Sequence, residues 1–237
     1  MTPFALWVYL STSPLLWLTG TLIAWLAASR IAVACGRHPL VNPVMLAIAF
    51  VAVALKLAHI DYKTYFDGAQ FVHFLLGPAT VALAVPLWRN RDLVGRSLLP
   101  MLAALTVGSL VAVGSTIAIA ALFGAPFDVI ASLAPKSVTA PVAMAVSERT
   151  GGLPSLTAAV VVATGIFGAM IVTPLMNRLG IKDWAARGFA VGLASHGIGT
   201  ARAFAVHPVA GAFSGLAMAL SAVVTPILVP IVLGILK

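Results

Sequence analysis

Basic and hydroxyl side chains set among helix-breaking residues, with no acid beside them, are the parts of an anion site. Two stretches of the 237-residue chain have that make-up: Ala134-Pro135-Lys136-Ser137-Val138-Thr139-Ala140-Pro141 and Ala194-Ser195-His196-Gly197-Ile198-Gly199-Thr200-Ala201-Arg202-Ala203. Lys136 supplies a fixed positive charge, and His196 a donor that can also titrate near neutrality. Ser137, Thr139, Ser195 and Thr200 add hydroxyls. Gly197, Gly199 and Thr200 are small enough to expose backbone N–H groups at the start of a half-helix, and Ser137 or Thr139 is placed to cap another. Arg202 is a further cation, with snorkelling from a segment end as its plainer reading. Residues 133–146 align without gaps on 193–206, with Lys136 on His196 and five identities at leucine, alanine or valine. A fainter third copy is Leu76-Gly77-Pro78-Ala79-Thr80-Val81.

The surroundings of these stretches are apolar. Hydrophobic residues make up 61% of the chain and charged ones 8%, against about 25% charged in soluble domains, which excludes a soluble globular protein. At about 20 apolar residues per span, the chain reads as an all-α integral membrane protein of seven to eight segments, two of them broken or re-entrant helices that form an inverted repeat. They are 13–35, 41–58, 69–88, 98–123, 127–146, 156–179, 186–206 and 209–236, in one membrane domain over 1–237. The amino terminus lacks a basic region before its first apolar run, so it is expected to remain in the mature protein. The net charge of +8 comes from basic residues set singly between apolar runs, which reads as a topology signal and not as a nucleic-acid surface.

That signal puts Arg30 and Arg37, then Arg89, Arg91 and Arg96, then Arg178, Lys182 and Arg187 on the cytoplasmic side. Three apolar segments separate the last two clusters, so one must fail to cross. Segment 127–146 carries Pro135 and Pro141 and is expected to be broken or re-entrant; the alternative is a kinked span with a third cluster that violates the rule. Irregular backbone at membrane depth survives only against protein or a water-filled cavity. If that segment returns and the next one crosses, the two copies enter from opposite sides as an inverted repeat, as in carriers whose interrupted helices meet at the midplane.

Ionisable residues inside membrane segments mark functional sites by default. Lys136, His196 and Arg202 lead, with Lys56 and His73 weaker. The six acids, Asp61, Asp67, Asp92, Asp128, Glu148 and Asp183, fall in loops or near segment ends. The expected ligand is therefore a small anion. Hydroxyls and unwound carbonyls leave proton or sodium coupling open. A lone Cys35 and five histidines without ligand spacing give no metal centre, no cofactor is expected, and no nucleophile elbow, phosphate loop or zinc-protease helix suggests an enzyme. Gly165-Ile166-Phe167-Gly168 and the Gly188 to Gly192 region read as close helix packing.

The two stretches, together with Gly151-Gly152-Leu153-Pro154-Ser155-Leu156-Thr157-Ala158 and Gly211-Ala212-Phe213-Ser214-Gly215-Leu216-Ala217-Met218, resemble the LrgB/CidB family of bacterial membrane proteins. The resemblance implies one of two roles. Some members are named as holin/antiholin-like regulators of murein hydrolase and lysis, acting with a smaller LrgA/CidA partner; others carry small carboxylates, a plastid translocator glycolate and glycerate and bacterial systems pyruvate. The expectation is a monocarboxylate carrier of the bacterial inner membrane, homo-oligomeric and in contact with lipid and an LrgA/CidA-like partner, with the holin-like role as the alternative. Acidic residues that the family often has near Ala145 and after the Ala-Arg-Ala motif are absent, so no carboxylate-based coupling site carries over.

Overall fold

The computed structural model describes residues 13–36, 38, 40–75, 78, 81–82 and 84–235, which are helical and contain no strand. The chain forms two compact units, Met1–Ala82 and Leu83–Lys237.

In the first unit, α1 (Pro14–Ala34) packs on α2 (Pro43–Ala58) and α3 (Tyr62–Phe74). Alanines 24, 28 and 32 form a buried stripe on α1 below Trp17, a four-residue spacing that keeps them on one face. Tyr65 of α3 meets Trp17 edge-on at 6.0 Å and its hydroxyl lies 3.1 Å from Thr21 Oγ1. Asn42 caps α2, accepting from the Val44 and Met45 amides. The polar interval expected between 58 and 69 is mostly helical instead. Asp61 accepts from the Thr64 hydroxyl at 2.6 Å and its amide at 3.0 Å, which starts α3 early and holds the exposed carboxyl below its ordinary range. Residues 76, 77, 79, 80 and 83 lie outside the described set, and with them most of the third repeat copy and part of segment 69–88; the side chain of His73 does too. Lys56 is exposed in the last turn of α2.

The second unit runs α4 (Ala84–Arg89), α5 (Arg91–Arg96), α6 (Leu98–Leu122), α7 (Phe127–Leu133), α8 (Ala140–Thr150), α9 (Pro154–Arg178), α10 (Trp184–Val206) and α11 (Pro208–Gly234). Four described helices, α1, α6, α9 and α11, are long and apolar enough to cross a membrane. Met101 and Leu105 at the start of α6 pack with Phe213 and Ala217 near the start of α11, while Val113 and Ile117 pack with Val229 and Leu233. The two helices are therefore parallel.

Neither interrupted segment is a straight helix. After α7 the chain turns through 134–139 and α8 comes back: Ser132 and Ser147 flank the same residue, Thr157, and Gly151 faces the Phe127 ring. In α10 the backbone leaves helical geometry at Ser195 and His196, and the second half folds onto the first. A Cβ on Gly199 would lie 2.9 Å from Val191 Cγ2, although eight residues of straight helix span about 12 Å. Trp184 stacks on His207 at 4.8 Å, closing the open end. Glycines also let its first half lie directly on α11: a Cβ on Gly188 or Gly192 would overlap the backbone of Ala210 or Ser214 there. Both segments are thus helical hairpins, the first based at the start of α9 and the second at its end, where Val191 and Ala203 pack with Val172.

Candidate functional site

The tips of the hairpins fall at the aligned positions, 134–139 and 195–196, and converge on one turn of α9. Val138 from the first tip and Ala143 pack on Val161, with Ala222 of α11 beside them. From the second tip, His196 Nε2 donates to the Val161 carbonyl at 3.0 Å.

The second tip is strained and held. His196 has φ 40° and ψ −133°, a region that costs a non-glycine residue about 1–3 kcal/mol. Three groups hold it there. Its ring bonds Val161; its own carbonyl accepts from Thr200 Oγ1 at 2.8 Å, and that hydroxyl also bonds Ser214 Oγ at 2.8 Å. Gly165 and Gly168 leave room for the ring and for Ser195: a Cβ on Gly165 would sit 2.6 Å from His196 Cε1, and one on Gly168 would overlap Ser195 Oγ. Close packing was the expectation for these glycines, and what they accommodate is the chain break.

The first tip is looser. Ala134, Pro135 and Val138 are buried, while Lys136, Ser137 and Thr139 are half-buried. Thr139 occupies the position before α8, yet neither it nor Ser137 caps the helix. Pro141 explains this, because it removes one of the two amides a capping hydroxyl reaches. No hydrogen bond or ion pair to the Lys136 ammonium is formed among the described residues.

The nine expected site residues thus separate by role. Lys136, Ser137 and Thr139 stand together on the first tip. Ser195 and His196 form the second, both buried, with exposed Gly197 next to them near Met218 Sδ. Gly199 is buried where the halves of the second hairpin touch, and the Thr200 hydroxyl is fully engaged in holding the break. Arg202 is not at the tip. It lines a small cavity near the open end of the second hairpin with Thr173, Met176, Trp184 and Arg187. There Arg187 covers the Trp184 ring and donates to Asn177 Oδ1 and the Ile181 carbonyl. A cavity of about 610 Å³ between α6 and the first half of α10 is lined mainly by apolar residues such as Met101, Ala104 and Leu193; its polar side chains are Ser97 and Asp183, with no cation to receive an anion. Among the described residues no cluster of His, Cys, Asp and Glu could hold a metal ion.

Sequence reasoning missed a closed hydroxyl cluster at the base of the first hairpin. Thr157 Oγ1 lies 2.7 Å from Ser147 Oγ, 3.0 Å from the Ser132 carbonyl and 3.1 Å from that of Leu153. Ser132 Oγ donates to the Asp128 carbonyl and accepts from the Leu153 amide. All three residues are fully buried. The signal available was the Gly151-Gly152 pair before α9: a Cβ on Gly152 would sit 2.7 Å from the Ser132 amide nitrogen.

The model of the LrgB-like family matches residues 21–235. The chain is 31% identical over 197 residues to the holin-like protein CidB of Staphylococcus epidermidis, covering 83% of this chain and 86% of that one. It is 33% identical over 194 residues to the uncharacterized protein YxaC of Bacillus subtilis, 82% and 84% of the two chains, and 30% identical over 196 residues to holin-like protein CidB of Staphylococcus aureus, 83% and 86%. No solved structure matches the chain. With that family match over most of its length and four long apolar helices, the chain belongs to the LrgB-like family and is an integral protein of the bacterial plasma membrane.

Proposed function

We propose that this protein is a secondary carrier of small monocarboxylates of the glycolate, glycerate, pyruvate or lactate type, working by alternating access between its two hairpins. The observation that carries the reading is the meeting of two broken tips on the Val161 turn, one of them bearing Lys136 without a counter-ion. A cation in a low-dielectric setting is costly unless an anion joins it, and no acidic side chain pairs with it among the described residues. The hairpins are based at opposite ends of α9, which supports reading them as an inverted repeat. Arg91, Arg96, Arg178, Lys182 and Arg187 gather at the end of the unit where α6 and α11 start and α9 stops, which the positive-inside rule makes cytoplasmic. Lys136 supplies the charge for the carboxylate, and Ser137 and Thr139 the hydroxyls beside it. Proton or sodium coupling, a small LrgA/CidA-like partner and a homo-oligomeric assembly belong to this reading.

The decisive experiment is uptake of labelled acids into proteoliposomes. Saturable uptake with mutual competition, abolished in a folded Lys136→Met variant, is the expected result; uptake by that variant at the parental rate refutes the assignment. The names of the staphylococcal relatives favour a second reading, a holin-like pore or a regulator of murein hydrolase activity. Conductance that does not saturate, with no discrimination among the acids, would establish the pore instead.

A further inference from the structure

Between the levels of the two tips, the spanning helices present hydroxyls that make no hydrogen bond among the described residues. Along the buried face of α11, Met218 lies near Gly197 at the second tip, Ala222 packs against Val138 of the first, and Val229 packs with Ala131 and Ala134. Ser221 and Thr225 fall in the interval, 3% and 7% exposed, and neither hydroxyl has a hydrogen-bond partner among the described residues. On α6 the same interval holds Ser109. Leu105 lies on one side of it, packed with Leu193, and Val113 on the other, packed with Ala134 and Val229. Ser109 is 3% exposed and its Oγ is buried without a partner.

Helical hydroxyls ordinarily bond the carbonyl one turn back, as Thr116 does to Ala112 and Thr106 to Leu102 in this same α6. Three that forgo this bond, on two helices at one level, are poised to donate elsewhere. Buried polar groups are otherwise paired, and the exceptions concentrate where a ligand completes the site.

We infer that Ser109, Ser221 and Thr225 stand beside the two tips and donate hydrogen bonds to the carboxylate held there. This rests on the carrier reading and adds residues to its site from helices that are not part of either hairpin. The Lys136 ammonium at the first tip favours an anion over a cation as the occupant.

The inference predicts that binding changes and stability does not. Thr225→Val keeps the side-chain shape and removes a hydroxyl that makes no hydrogen bond to the described residues. The empty protein should melt at about the parental temperature, while affinity for labelled pyruvate and glycolate falls roughly tenfold, as expected for a lost bond to a charged acceptor. Ser109→Ala and Ser221→Ala should behave alike. A Thr225→Val protein that melts well below the parent has lost a structural bond, and one that binds both acids as the parent does has lost nothing that touches ligand; either result overturns the assignment. A parent stabilised by sodium chloride but by neither acid in potassium salts would make this a cation site and also overturn it. If the parent takes up no acid, the carrier reading falls and this assignment with it. Parental uptake with an unaffected Thr225→Val removes the hydroxyl contacts alone.

Discussion

The hydroxyl cluster at the base of the first hairpin makes a quantitative prediction for Thr157→Val. Thr157 is fully buried, and valine fills the same volume, so no cavity forms and the change is polar alone. Thr157 has one proton for three oxygens within 3.1 Å. Its removal deletes one donor and leaves the Ser132 carbonyl and the Ser147 hydroxyl sharing what remains. One lost bond plus one orphaned buried acceptor costs about 2–4 kcal/mol, which in a chain of this size lowers the melting temperature by roughly 5–15 °C. Thr157→Ser keeps the hydroxyl and loses only a methyl group, so it should recover most of the difference. Melting in detergent, followed by fluorescence-detected size exclusion, reads both variants. If Thr157→Val melts within about 2 °C of the parent, or if Thr157→Ser falls as far, the hydroxyl does not hold the hairpin.

Gly168→Ala should push Ser195 off α9 at a cost of about 1–3 kcal/mol, and uptake should fall more than stability; a variant with parental uptake would show that the break needs no such seat. His196→Gln retains a donor for the Val161 carbonyl, so it should fold normally and reduce uptake less than Lys136→Met; if His196 also carries a coupling proton, uptake should lose its pH dependence in the same variant. In a Cys35→Ser background, single cysteines at positions 91 and 182 should react with an impermeant maleimide from the same side and one at position 149 from the other. Reaction of 91 and 182 from opposite sides would mean that the first hairpin crosses the membrane.

How far the sequence could be read depended on what kind of force decides each feature. Apolar length is a local property, so the boundaries of α1, α6, α9 and α11 lie within two residues or so of the expected segments. Proline is local too: Pro135 and Pro141 announced the first break because their rings forbid continuous helix there. The failure at α3 has the same scale. A single Asp61 to Thr64 contact extends the helix into residues whose polarity suggested a loop. What hydropathy could not register is that α10 turns back on itself. Its break contains no proline, and 23 residues of suitable length read as a span. Only the charge parity from Arg96 to Arg178 hinted that a segment must return, and that argument reached the first hairpin without reaching the second.

The site shows the same division more sharply. Lys136 and His196 were legible because ionisable groups in apolar runs stand out, and their alignment placed both at breaks. The long-range partners were not legible. The carbonyl of Val161 has no side-chain signature, and Gly165 and Gly168 look the same in sequence whether they seat a neighbouring helix or a strained histidine. Ser109, Ser221 and Thr225 are the extreme case, since a serine or threonine in an apolar helix ordinarily bonds its own backbone and means nothing. Their distinction lies in a bond not made, which depends on side-chain orientation and on the packing of two other helices. Both hairpin tips end on one turn of α9, so what lies beside them is decided by helices distant in sequence, which no local pattern around either tip can announce.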